Sequence, residues 1–339
     1  MHCWARGATY NAMPLRDVER VIETGRQVCA AHGIEFAPFP MHEAATHPDA
    51  PALIAMFAAA SREPVFEPFV TTGVPLALRD DWPAVLDAAH KAGTTTLWTH
   101  IHGVGETHDR NMNRAGAFDE MCVAIERAKS MGFRAGCNVF VTKDNISQVN
   151  EMMDTLARLN MDESLWEIAS YTPHARMRQY EAIRPTLEDV LPAAERIASA
   201  TQWPHHKAFW QPENLVEHTE ASFVRRALAE ADDATWLVAP DSSLIQLICR
   251  PSLDLHSGVA GAYGHLHGNL HGDAAGVFER AIEERSTVES SLYFITSHLP
   301  SIKTLAQNNG DVAGQKIHFN ANSIAEYWLD QALFDQRRY

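Results

Sequence analysis

Apolar residues recur along this chain with two periods that alternate. Residues 15–32 space them three and four apart, as on one face of a helix, and Gly33 follows as a stop signal. Residues 34–40 read as a short strand, and residues 48–61 as a second helix with Pro48 and Asp49 near its start. The alternation continues with strand 65–73, helix 80–93, strand 94–103, helix 117–132, strand 133–142, helix 146–160, strand 164–173 and helix 187–200. Strand after strand, each followed by a helix, predicts an α/β fold with a parallel sheet covered by helices. An open doubly wound sheet and a barrel both fit, and both place ligands at the C-terminal ends of the strands. Polar residues fall at those ends, in 40–47 and in 100–109. The series begins with a helix, so a strand is expected to be missing in front of it.

From about residue 201 the pattern changes. Residues 202–218 read as an aromatic loop, and 236–240, 243–250 and 251–258 as three short strands. Residues 261–273 form a Gly/His-rich loop, followed by helical stretches at 273–285 and 286–308. The expected organisation is a core over 1–200 and a small α+β extension over 201–339.

Composition narrows the function classes. The chain has 339 residues, 46% of them hydrophobic and 21% charged, with a formal net charge of -15. That is an ordinary balance for a protein with a sizeable core. An acidic chain repels nucleic-acid phosphates and anionic lipid, so neither nucleic acid nor membrane is expected as a partner. No apolar run is long enough to cross a bilayer, and the first residues lack a signal-peptide stretch, so a cytoplasmic location is expected. The five cysteines, Cys3, Cys29, Cys122, Cys137 and Cys249, are scattered, which argues against both a disulfide framework and a zinc ribbon.

Four segments, in order, carry a family resemblance. The chain opens Met1-His2-Cys3-Trp4; then come Met41-His42-Glu43 and His47-Pro48-Asp49; then His100-Ile101-His102-Gly103, His108-Asp109 and Gly116-Ala117-Phe118; then Gly136-Cys137-Asn138, residues 141–145 and Pro173-His174-Ala175-Arg176. This set resembles the core of the radical S-adenosylmethionine (SAM) enzymes over roughly residues 1–200. The resemblance implies a partial (β/α)6 TIM-like barrel lacking its first strand, with a [4Fe-4S] cluster and SAM as cofactors. Cys3 would be the third cysteine of the family's C-x3-C-x2-C loop, with His2 before it and the other two cysteines ahead of Met1. The chain would then be a truncated form, inactive alone and less soluble than an extended one because an open sheet edge is exposed. Glu43, with His42 beside it, matches the loop that contacts the SAM amino group, although Met41-His42 replace the family's two glycines. His100 and His102 fall near SAM, Asn138 and His102 are expected at the ribose, and Glu106, His108 and Arg176 near the mouth where substrate enters.

In such enzymes one electron from the cluster cleaves SAM to a 5′-deoxyadenosyl radical, which takes hydrogen from a substrate. Here the substrate would be a peptide or a small molecule, and a flavodoxin or ferredoxin would supply the electron. Residues 248–258 and Gly268-Asn269-Leu270 resemble the twitch or SPASM-type extensions of peptide-modifying members, but Cys249 alone cannot hold an auxiliary cluster.

Two other readings stay open. His100 and His102 form an H-x-H at a strand end, as in metal-dependent barrel hydrolases, where both rings face one metal. A degenerate, non-catalytic SAM-binding protein is the third reading. The segment His42–His47 puts its histidines five apart, which excludes the HExxH zinc motif. His265, His267 and His271 read as a solvated loop, and Arg184 as a surface charge or ion-pair partner.

Overall fold

The computed structural model describes residues 12–40, 43–170, 180–230, 247–257, 265–284, 301–309, 314–319, 323–325 and 327–328. Strands β1 (Phe69–Val70), β2 (Thr96–Ile101), β3 (Arg134–Phe140) and β4 (Glu163–Glu167) form a parallel sheet in that order. Helices α1 (Leu15–Ala31) and α2 (Ala50–Ala60) precede it. Helices α3 (Val74–Leu78) and α4 (Trp82–Lys91) join β1 to β2, α5 (Glu106–Met112) and α6 (Ala117–Ser130) join β2 to β3, and α7 (Val149–Arg158) joins β3 to β4. Parallel neighbours need crossovers of this kind. The α/β class expected from the alternating pattern is therefore present.

The two faces of the sheet differ. Leu97, Thr99 and Ile101 of β2, Ala135, Cys137 and Val139 of β3, and Trp166 of β4 are fully buried. They pack under apolar stripes such as Met121, Ala124, Ile125 and Ala128 of α6 and Val149, Met152 and Leu156 of α7. Each large apolar side chain among them (Leu, Ile, Val or Met) is worth about 1.5–3 kcal/mol when buried, which fixes the face the helices cover. The alternate residues Trp98, His100, Asn138, Phe140, Leu165 and Glu167 remain half-buried on the other face. Pairing sets them side by side: Trp98 opposite Gly136, His100 opposite Asn138, Asn138 opposite Leu165, and Phe140 opposite Glu167.

Several sequence expectations are corrected. Residues 34–40 form no strand, because Pro38 and Pro40 cannot donate to a ladder. The strand expected over 65–73 is only the two-residue edge strand β1, preceded by Pro64 and Pro68. Residues 202–218 are not a loop but α10 (Pro204–Phe209), α11 (Pro212–Leu215) and a 3-10 turn, after α8 (Leu187–Val190) and α9 (Ala194–Ala200). Phe209, Trp210 and Leu215 join the main core, and that burial overrides the weak local signal. Pro192 splits the helix expected over 187–200 into α8 and α9 with a 3-10 turn between them. The Gly/His stretch 261–273 contains strand β7 (His265–Asn269), which pairs antiparallel with β6 (Asp254–Ser257), itself paired with β5 (Leu247–Cys249).

Helix α13 (Ala274–Glu283) covers this small sheet, and Val28 of α1 joins its core of Leu253, Leu255, Leu270, Val277 and Phe278. Helix α12 (Glu220–Ala229) packs on α14 (Ile302–Asn309). Residues 236–240 and 286–300 lie outside the described residues. Among the described residues no helix is long and apolar enough to cross a membrane.

Candidate functional site

The C-terminal ends of β1 to β3 meet loops whose polar residues hold one another. After β1, Thr71 and Thr72 clasp Glu43. Thr72 donates from its backbone N–H (3.1 Å) and its hydroxyl (2.9 Å), and the Thr71 hydroxyl makes a short hydrogen bond to the same carboxylate. Burial pushes the Glu43 carboxyl up, and these three bonds oppose it. A carboxylate has about four acceptor sites, so one is left for a further donor.

The neighbouring His47-Pro48-Asp49 serves the backbone. His47 Nδ1 accepts from Asp49 N–H (3.0 Å), so its Nε2–H donates to the Met13 carbonyl (2.9 Å). Arg79 donates to the carbonyls of His47 and Pro48 while paired to Asp81. The loop carrying Glu43 is thus fixed from three sides.

His108 and Asp109, after β2, divide their work. The Asp109 carboxylate accepts from Gly116 N–H (2.6 Å) and Phe118 N–H (2.9 Å), at the N-terminus of α6, where the helix dipole favours an anion. His108 is fully buried, edge-on to Phe118. Its Nδ1 accepts from His102 N–H (3.2 Å), so the neutral ring carries its proton on Nε2. That Nε2 is buried and has no hydrogen-bond partner among the described residues, and the same holds for His100 Nδ1. After β3, Asn145 accepts from Thr142 N–H and donates to the Phe140 carbonyl, closing the turn of residues 141–145.

On the open face, His102 lies flat on Phe140 with ring centroids 5.0 Å apart, and His100 tilts against the same ring at 5.8 Å. The Trp98 indole N–H donates to Asn138 Oδ1 (2.9 Å). Indole is a donor only, so this bond sets the amide with its oxygen inward and its NH2 turned away. Gly136 makes room for the indole: a Cβ there would lie far inside van der Waals contact with the ring.

Of the residues expected from the sequence, Glu43, His100, His102, His108 and Asn138 gather at these strand ends. Glu106 is exposed on α5, two residues before His108, and therefore faces another way. His108 is closed off from solvent, whereas Glu106 is exposed, so the two do not share a surface. His2, Cys3, His42 and Arg176 lie outside the described residues. Arg184 is fully buried rather than at the surface, and is an ion-pair partner, of Glu181. His267 is buried against Glu284 (2.7 Å), not solvated. Sequence reasoning missed Trp98 and Phe140, which follow from His100 and Asn138 by strand alternation, and Thr71, Thr72 and Glu167, which require the folded register.

Burial pushes the His100 and His108 imidazoles down to about 4. The unfolded chain takes up protons near pH 6.5 and the folded chain only near 4. The stabilising contribution of each ring is complete above pH 6.5 and lost as pH falls toward 4, on the order of 3 kcal/mol per ring. His206 and His318 are lowered in the same direction, also chiefly by burial. Urea denaturation at pH 7 and pH 4.5 is therefore expected to show a marked loss of stability in acid. His108→Gln should flatten that slope by one ring's share; an unchanged slope would contradict the assignment.

No family model matches this chain, and no curated protein matches it.

Proposed function

We propose that this chain is the SAM-binding part of a radical SAM enzyme, built as a partial (β/α) barrel whose open face holds the adenosyl ligand. One observation carries the reading. At the C-terminal end of the parallel sheet, buried ring nitrogens of His100 and His108 lack partners among the described residues, near an amide whose NH2 is turned away from its own partner. Buried polar groups are rarely left unpaired, and when they converge at strand ends they mark a ligand site.

In this proposal the fourth acceptor site of Glu43 takes the SAM ammonium, a charge-assisted bond. The Asn138 NH2 donates to a ribose hydroxyl, with His100 and His102 alongside. Trp98 offers a flat apolar surface to the adenine. The neutral histidines add no positive charge to repel a sulfonium.

The iron–sulfur cluster that the resemblance implies does not fit the described residues. Cys29, Cys122, Cys137 and Cys249 sit on α1, α6, β3 and β5, and burial pushes all four thiols up, whereas iron needs thiolates. Binding and positioning of the nucleoside are what the described residues offer. Cys3 is the cysteine that the resemblance assigns to a cluster. A hydrolase using His100 and His102 has less support, because among the described residues no three His, Cys, Asp or Glu side chains group to hold a metal ion.

Equilibrium dialysis with radiolabelled SAM tests the proposal. Saturable binding is expected, weakened about tenfold by Asn138→Ala while the circular dichroism spectrum is kept. Absence of saturable binding to the folded chain, or equal binding by the variant, would contradict it.

A further inference from the structure

Glu167 is the last residue of β4, opposite Phe140, and its side chain leaves the sheet on the open face that carries His100 and Asn138. Its backbone carbonyl accepts from Val141 N–H (2.8 Å), so its position is fixed by the ladder. Its carboxyl is half-buried, and no hydrogen bond or ion pair holds it among the described residues. Every other buried or half-buried carboxylate among the described residues has such a partner. Glu163, at the other end of β4, pairs with Arg134; Asp109 holds the start of α6; Glu181 pairs with Arg184; Glu284 pairs with His267.

The neighbours of Glu167 do not supply what it lacks. The Tyr180 hydroxyl accepts from Ala169 N–H and donates to the Val141 carbonyl. Arg184 lies over the Tyr180 ring with its charge committed to Glu181. A partly desolvated carboxylate without a partner is costly, and a cation brought by a ligand would relieve that cost. Burial accordingly holds this carboxyl up at about 7, so it is largely ionised in mildly alkaline buffer.

We propose that Glu167 gives the open face its preference for a positively charged ligand, so that a sulfonium is held more tightly than the neutral thioether of the same nucleoside. The inference rests on the proposal that the face binds SAM. It assigns Glu167 a specificity role that none of the recognised motifs carries.

The test compares SAM with S-adenosylhomocysteine, which differs at sulfur by one methyl group and one positive charge. Both are measured by equilibrium dialysis at pH 8 against the full chain. Wild type is expected to bind SAM about tenfold more tightly, the size of one charge-assisted contact. Glu167→Gln, which keeps the shape of the side chain, should bring the two affinities to within about twofold. Glu163→Gln, on the same strand but already paired to Arg134, should leave the ratio as in wild type. Equal affinities in wild type, or a preference that survives Glu167→Gln, would overturn the inference and leave the SAM site standing. Binding of neither nucleoside to the folded protein would overturn the SAM site and this inference with it. Thermal unfolding of Glu167→Gln supplies the folding control, and its midpoint at pH 8 should equal or exceed that of wild type, since a partly desolvated charge has been removed.

Discussion

Replacing Arg184 by alanine is expected to destabilise the protein by about 3–5 kcal/mol, the usual result of breaking a buried ion pair from one side. Arg184 is fully buried. Its Nε donates to Glu181 at 2.7 Å, its Nη1 donates to the Ile317 carbonyl at 3.2 Å, and its guanidinium lies 5.3 Å from the centre of the Tyr180 ring. Ile317 belongs to a late segment of the chain that bridges to Thr219, as Lys316 does to Thr186, so this arginine joins residues far apart in sequence. Without it, Glu181 keeps only Lys316, at 3.8 Å, among the described residues, and remains buried. Urea denaturation measures the loss. Combining Arg184→Met with Glu181→Leu should recover part of it, because a buried pair replaced by apolar groups leaves no orphan charge. A change under about 1 kcal/mol in the single variant would show that the pair is dispensable, as exposed pairs are.

Gly136→Val is expected to abolish nucleoside binding and to cost about 2 kcal/mol of stability, as overpacking does. The residue lies opposite Trp98 on the open face, where a Cβ would occupy the space of the indole. A side chain there pushes the indole away and breaks its 2.9 Å bond to Asn138, freeing the amide from the orientation that the site needs. Trp98→Leu combined with Gly136→Val should regain stability, since the clash is gone, but not binding. Full binding by Gly136→Val would show that the open face is not the site.

The sheet was legible where its strands are long. Residues 94–103 and 133–142 carry β-branched and apolar runs bounded by Gly93, Gly103 and Gly132, and each contains a strand, shorter than expected at both ends, over 96–101 and 134–140. Residues 34–40 carry strand-like apolar spacing, but Pro38 and Pro40 cannot donate to a ladder. Helix α12 was not foreseen, although Thr219 offers a cap that accepts from Ser222 N–H. Strand β7 was masked by the glycines and histidines that compose it, and its pairing with β6 is a tertiary event that periodicity does not encode.

The candidate site divides in the same way. Each motif contains residues that hold the backbone, such as His47, Asp109 and Asn145, and residues that face the open side, such as His100 and Asn138. Spacing alone does not separate them. The difference appears in which nitrogen of His47 or His108 is committed to a backbone group, and that requires the partner's position. Glu167 carries no motif; its lack of a partner among the described residues becomes visible only when the other carboxylates are seen to be paired.

Photoaffinity labelling with 8-azido-S-adenosylmethionine, followed by peptide mass spectrometry, tests the SAM-binding face most directly. The account predicts adducts in residues 96–102 and 134–140 that excess SAM suppresses and Gly136→Val abolishes. Suppressible labelling confined to other segments, or no labelling that SAM suppresses, would contradict it.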